Sequence, residues 1–561
     1  MQKQLTLLLL ILTFNFTFSQ DYFPTNDGIK FDNTNYTTFT NAKIYSSHNT
    51  TIENGSMVVK DGKIVQIGKS VEIPKNSTII DLEGKSIYPS FIDIYSKFGV
   101  KAPERKSGDR RSPQYNNARK GYYWNDHIRP EQNAIEFFKY DDRKAKELIK
   151  NGFGAVNTHL SDGIIRGKGV LIALTDSGDS NNIIDDNSTQ YLSLSKSVTS
   201  SQSYPSSIMG VFALLKQVYF DAEWYSKGLS KTNDKSLEAL NENKNLIQIF
   251  EAKNKINSLR IDKIGDEFDI QYVLLGGGDE YERIEEIKAT NASYILPVNF
   301  PDAYDVEDTY SANILQLSDM REWNQKPTNP SHLEKNNIVF AITLDGLKSP
   351  NNLKENIIKA IDHGLTKEKA LEALTSIPAK LIGRNDVLGY LKKDYLANFL
   401  ITSGEIFDNN TVIYENWVKG NRNIINSMEI KDIRGKYKLT VGDKNTVLDI
   451  SGKLEKPKAK LKDSTLTVKK LSYKGGWLNM TVNDDSNFIR ISLRVNKENN
   501  NLNGKAYYSD GSVSNLNVDF FEKQINDTKK SKEKITKEIN IVPITYPNMA
   551  YGFSKLQESQ D

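Results

Sequence analysis

The sequence predicts an α/β protein, a parallel sheet or a (β/α)8 barrel, with small β elements on both flanks and an all-β module behind. Three observations predict it. Short apolar runs alternate with helix-patterned segments through residues 89–384, the rhythm of parallel strands joined by helical crossovers. Strand-like runs separated by turn residues lie before that region, in 38–88, and return after it, in 385–425. Beyond residue 428, Gly435, Gly452, Gly475, Gly476, Gly504 and Gly511 punctuate alternating strands at turn-like intervals.

The elements follow in chain order. Two apolar runs around Asp61-Gly62 form a hairpin signal, and residues 79–81 and 86–88 add strands to the same small sheet. Residues 91–94 read as a buried strand. Residues 136–151 carry helical spacing that stops at Gly152, and 155–158 form the next strand. A long helix over 207–228 places Ile208, Val211, Leu214, Leu215, Val218 and Ala222 on one side. Further strands fall at 271–275, 293–296 and 338–342. Thr366 caps a helix that ends near Ser376, and Pro378 begins another. Strands return at 397–401 and 411–414. In residues 489–495, Ile489, Ile491, Leu493 and Val495 face one way and Arg490, Ser492 and Arg494 the other, within a sandwich or small barrel over 428–522.

Composition narrows the function. A chain of 561 residues exceeds one ordinary domain, and 38% hydrophobic with 26% charged residues suffices for real cores. The 74 basic residues nearly balance 71 acidic ones, which argues against nucleic acid or an anionic membrane as partner. Residues 1–19 carry Lys3, an apolar run from Leu5 and a small Ser19, the pattern of a signal peptide, so a secreted or periplasmic protein is expected. That run is too short to span a bilayer, and no later segment is apolar enough to do so. The absence of cysteine excludes disulfides, thiolate nucleophiles and thiolate metal sites. Histidines number five: His48, His127, His159, His332 and His363. Residues 523–561 read as a charged linker and tail, and the apolar stretch 541–547 within them suggests a lead into a further domain.

Two separated blocks resemble the amidohydrolase superfamily of metal-dependent hydrolases, imidazolonepropionase-like in type. The first holds Asp61-Gly62-Lys63-Ile64-Val65, Ile80-Asp81, Gly84-Lys85 and Pro89-Ser90-Phe91-Ile92-Asp93. The second holds His363-Gly364-Leu365-Thr366, Ala370-Leu371, Pro378-Ala379, Leu381-Ile382-Gly383 and Leu388-Gly389, ending at Ala397-Asn398-Phe399-Leu400-Ile401. The resemblance spans about Thr40 to Gly420. It implies a (β/α)8 barrel over 89–384 and a composite β domain from 38–88 and 385–425. It also implies one or two divalent metals at the barrel mouth, held by a His-x-His pair, a carboxylate or modified lysine, two more histidines and an aspartate. The His-x-His positions carry Tyr95 and Lys97, and no histidine occurs between His159 and His332. Asp345 alone stands at an expected ligand position, and a catalytic zinc needs about three protein ligands.

The expectation is therefore a non-catalytic homologue with no metal or cofactor, or one half of a tandem pair whose other domain or chain keeps an intact metal site. Lys97 in place of the cation would then neutralise Asp345. Two alternatives stay open. One is an active hydrolase of non-peptide carbon–nitrogen bonds, holding zinc or another divalent metal through Asp93, His159 and Asp345, with His159 and Asp162 as a proton-transfer pair. The other is a peptide- or glycan-binding protein using the aromatic loop at 121–127, which includes His127. Gly276-Gly277-Gly278-Asp279 lacks the ending of a phosphate loop and reads as a flexible mouth loop. His363 reads as structural, and His48 and His332 show no partner in the sequence.

Overall fold

The turn at Asp61-Gly62 sets the first sheet. Asp61 (φ 49°) and Gly62 (φ 75°) both adopt the left-handed backbone that a two-residue hairpin turn requires. A Cβ on Gly62 would also meet the Lys419 carbonyl oxygen at 2.8 Å. Around this turn the computed structural model shows Tyr36–Ser47 (β1), Thr50–Lys60 (β2) and Lys63–Gly68 (β3) as an antiparallel run. Ser77–Asp81 (β4) and Ser86–Pro89 (β5) pair parallel to β1. The structure describes residues 36–523 except 106–111, 116–118, 176–178, 305, 429–430, 443, 455, 463–464, 485–486 and 497–500, together with the pairs 549–550 and 553–554. The expected signal peptide over 1–19 and the stretch 541–547 lie outside the described residues.

Ten strands follow: Phe91–Ser96 (β6), Phe153–Thr158 (β7), Ile165–Lys168 (β8), Val170–Ala173 (β9), Ile183–Asp185 (β10), Thr189–Ser193 (β11), Ile247–Glu251 (β12), Tyr272–Leu275 (β13), Ser293–Pro297 (β14) and Phe340–Thr343 (β15). They form a four-stranded sheet ordered β10-β9-β7-β6 and a six-stranded sheet ordered β15-β14-β13-β12-β11-β8. Strands β6 and β7 run parallel, as do β11 through β15. Between them β8 and β9 run the other way, β8 against β11 and β9 against β7. Gly167 (φ +81°) permits this reversed segment to lie close to its neighbour, since a Cβ there would sit 2.1 Å from the Gln132 carbonyl oxygen.

One apolar cluster collects side chains from both sheets, among them Ile92, Ala155, Leu171, Tyr191, Ile249 and Ile295. The opposite strand faces bury Val156, Phe250, Leu274 and Leu296 with helix residues such as Leu214, Leu215 and Val218. Those helix residues belong to Ile208–Ser226, whose N-cap Ser207 accepts from the Gly210 N–H. Ile208, expected on the buried side, is exposed at the first turn.

The helix expected over 136–151 is shorter. The Asp141 side chain accepts from the Arg143 and Lys144 N–H groups, so the α-helix starts at Asp142 and runs to Lys150, behind a separate 3-10 turn at Ala134–Phe137. Thr366 caps Lys367–Leu374 as expected, but Pro378 stands third in the next helix, Ser376–Leu381, rather than first.

Phe399–Thr402 (β16), Ile413–Val418 (β17) and Asn421–Ile424 (β18) then complete the first sheet, ordered β18-β17-β16-β5-β1-β2-β3. Both flanks of the chain thus build one sheet. Buried Asn416 fastens it to the inner strands, accepting from Ser90 Oγ at 2.8 Å and donating to the Ile149 and Phe153 carbonyls at 3.0 and 2.9 Å.

Beyond it, Gly435–Val441 (β19), Lys444–Lys453 (β20), Lys456–Lys462 (β21), Thr467–Lys474 (β22), Trp477–Asp484 (β23), Asn487–Val495 (β24), Leu502–Tyr507 (β25) and Val513–Lys523 (β26) make an antiparallel sheet. Its order, β21-β20-β19-β26-β25-β24-β23-β22, brings the last strand back to the first and gives a nearly closed barrel-like sheet. Alternate residues Ile489, Ile491, Leu493 and Val495 of β24 face its separate core. Among the described residues no helix is long and apolar enough to cross a membrane.

Candidate functional site

The ends of β6, β7, β12 and β15 bring Tyr95, Lys97, His159, Glu251 and Asp345 together with Arg166 of β8. Arg166 is the hub, with its side chain only 3% exposed. Its Nη1 donates to Glu251 Oε2 at 2.7 Å and to the Tyr95 hydroxyl at 3.0 Å, while its Nε donates to the Gly163 carbonyl at 3.2 Å. The Tyr95 hydroxyl donates to Glu251 Oε2, and Lys253 Nζ pairs with Glu251 Oε1. Burial alone would raise the Glu251 carboxyl, but Arg166 overrides it with help from Lys253 and Tyr95, and the group falls to about 2. Glu251 is therefore a carboxylate locked between two cations.

Lys97 Nζ lies 3.2 Å from Asp345 Oδ1, with the lysine side chain half exposed. Both residues line a cavity of about 310 Å³ together with Asp93 and Tyr95. Asp345 and Glu251 are thus already paired with lysine and arginine.

Asp93 has another task. Its Oδ1 accepts from Thr343 Oγ1 at 2.8 Å and from the Tyr95 N–H at 3.1 Å, and its Oδ2 accepts from the Leu344 N–H at 3.4 Å. The carboxylate therefore clips the end of β15 to β6, two strands that share no backbone ladder. Burial pushes its carboxyl up to about 6, against the lowering effect of those three donors.

His159 follows β7, and its ring is stacked on Tyr191 at 4.1 Å and tilted on Tyr95 at 4.4 Å. It is 1% exposed and both ring nitrogens lack a hydrogen-bond partner. Burial, then Arg166, hold its pKa well below the usual range, so the ring is neutral near pH 7. The expected pairing of His159 with Asp162 does not form. Asp162 instead accepts from the Val198 N–H at 2.7 Å and from the Ser197 and Thr199 hydroxyls, ordering the loop after β11.

The other sequence candidates are structural in their contacts. His127 is buried, and its Nδ1 accepts from the Ser197 N–H at 3.1 Å. In the glycine segment after β13, the Gly277 N–H donates to Glu280 Oε1 at 2.8 Å. His363 Nδ1 lies 2.7 Å from the Lys359 carbonyl at the end of helix Leu353–Asp362.

Sequence pattern does not single out Arg166 on β8 or Glu251 on β12. The signal for β12 was present, as Ile247 and Ile249 alternate with polar Gln248 before Phe250. Arg166 lies in a short Gly-flanked strand with no pattern of its own.

The donor set does not fit a divalent centre. Tyrosine and lysine occupy the first two positions, the Glu251 and Asp345 carboxylates are already paired with cations, and both Asp93 oxygens are engaged. Among the described residues no group of three or more His, Asp or Glu side chains is arranged to hold a metal ion.

No family model matches the chain. Its structure is similar to that of an amidohydrolase from Thermotoga maritima MSB8, with a TM-score of 0.55 and 18% identity over 69% of this chain and 99% of that one. A β-aspartyl dipeptidase from Fervidobacterium islandicum AW-1 aligns at a TM-score of 0.39 and 16% identity over 69% of this chain and 97% of that one, a likeness too low to carry weight. In sequence, 56 residues are 43% identical to a dihydroorotase from Caldicellulosiruptor saccharolyticus, a match that spans 10% of this chain and 13% of that enzyme. The amidohydrolase fold is therefore the fold of this chain.

Proposed function

We propose that the chain is an exported member of the amidohydrolase superfamily whose metal centre has been replaced by a protein ion-pair centre. It serves as a non-catalytic partner, separate from or in tandem with a domain or chain that keeps the metal site. The observation that carries this is Arg166, a buried guanidinium set between Glu251 and Tyr95 at the strand ends where the family's cation would stand. A fixed positive charge there stabilises the remaining carboxylates without a metal, and a guanidinium cannot activate water as a Lewis acid does. The sheet order and the apolar cluster shared by both inner sheets support a closed (β/α)8 barrel in which β8 and β9 act as one reversed stave.

A second reading is favoured by His159 alone, a neutral buried ring at the mouth with both nitrogens free of hydrogen bonds. In that reading the chain hydrolyses non-peptide carbon–nitrogen bonds, with His159 moving the proton. A screen of small amides, lactams and N-acyl amino acids, with and without added zinc, tests the two readings. The proposal expects no turnover above that of denatured protein. Turnover that disappears in His159→Ala would establish the second reading instead.

A further inference from the structure

One cavity lies apart from the ion pairs of the mouth, beside the start of β6. About 480 Å³ in volume, it opens where the first sheet, the inner strands and the C-terminal β module meet. Its floor is apolar: Phe91 at the start of β6, Ile357 of helix Leu353–Asp362, and Ile406, Phe407 and Val412 between β16 and β17, each no more than 6% exposed. Its walls carry Lys150, Lys354, Lys453 and Lys456 against one carboxylate, Glu355. Glu355 is paired with Lys453 and the Lys354 ammonium donates to the Thr411 carbonyl, so Lys150 and Lys456 face the opening as the uncommitted positive charge.

We propose that this junction binds a small amphiphilic anion, an apolar chain carrying one terminal carboxylate. The volume lies in the range of small-molecule sites, and such sites concentrate where structural units meet. An apolar floor excludes a purely polar anion, because burying it there would strip its water without replacing the hydrogen bonds. The cationic rim excludes a cationic ligand and disfavours a neutral one, and lysine stems lie along apolar surface while their ammonium groups reach solvent and the ligand head. The ligand would tie the C-terminal module, through Lys453 and Lys456, to the barrel, through Lys150 and Ile357. This site is independent of the mouth and of whether the chain turns over any substrate.

The test is calorimetric titration of the purified full-length mature chain with sodium decanoate, hexanoate and decanol. One decanoate should bind per chain, with affinity falling about fourfold for each methylene removed. Decanol should bind at least tenfold more weakly. Lys150→Ala combined with Lys456→Ala should weaken decanoate fivefold or more while leaving decanol unchanged. Ile357→Trp should abolish binding by filling the floor. Asn409→Trp, at an exposed wall position, should weaken it even if Ile357→Trp does not fold. Decanoate that fails to saturate at millimolar concentration overturns the proposal. So does binding unaffected by both the lysine and the tryptophan substitutions, which would indicate non-specific uptake elsewhere.

Discussion

At the scale of single residues, the charge buried at the mouth is balanced by protein side chains. Arg166 and Glu251 are 3% and 6% exposed in their side chains, and each makes the other tolerable. Arg166→Met leaves Glu251 with the Tyr95 hydroxyl and a single cation, Lys253, whose side chain is 61% exposed, and should cost about 3 kcal/mol, read from the chemical-denaturation midpoint. Replacing both, as Arg166→Met with Glu251→Leu, should recover much of that loss, because no unpaired charge remains. A double variant less stable than Arg166→Met alone would contradict the pairing.

Asp93 makes an opposite and separable contribution. Its folded-state pKa, about 6, lies above the ordinary 3.8, so the folded protein holds this proton more tightly than the unfolded chain. Stability from this group is complete below about pH 3.8 and declines as pH rises through 6, by on the order of 3 kcal/mol. Glu251, lowered from 4.5 to about 2, stabilises above pH 4.5 and loses that stabilisation as pH falls toward 2. Asp93→Asn should flatten the melting-temperature profile between pH 4 and 6, since the amide oxygen still accepts from Tyr95 and Thr343 while the side chain no longer titrates. An unchanged slope in that window would show that Asp93 does not titrate as burial predicts. At this scale the sequence was half legible. Tyr95 and Lys97 could be read as substitutions at ligand positions, but a guanidinium reaching in from another strand depends on a tertiary contact that periodicity does not encode.

At the scale of elements, the helices and hairpins announced themselves through local chemistry. Asp61-Gly62, Ser207 and Thr366 do in the structure what turn and cap residues do in peptides. The helix expected over 136–151 is cut short by a local cap of the same kind, Asp141, which accepts from two backbone N–H groups. The reversed β8–β9 segment is not legible in the sequence, since direction within a sheet is fixed by partners and not by alternation. Gly167 holds that segment against Gln132. Gly167→Ala combines a left-handed backbone with a contact that requires backbone movement, and should lower the melting temperature by more than Gly121→Ala, which has the same sign of φ (81°) and open space around its Cβ. Equal losses would mean that the close approach at Gly167 is absent.

At the scale of the whole molecule, the amidohydrolase fold is kept, and the function proposed above gives its mouth protein cations in place of a metal. Where the family resemblance implies imidazoles around a divalent cation, this chain gathers Arg166, Lys97 and Lys253 around Glu251 and Asp345. Under the proposed function these side chains stand in for the metal, and their like charge repels one. The most direct measurement is the metal content of the purified chain by elemental analysis, repeated after dialysis against excess zinc and manganese. The account predicts no stoichiometric metal in either preparation. One tightly held metal per chain, lost in Asp345→Ala, would contradict it and return the mouth to metal chemistry.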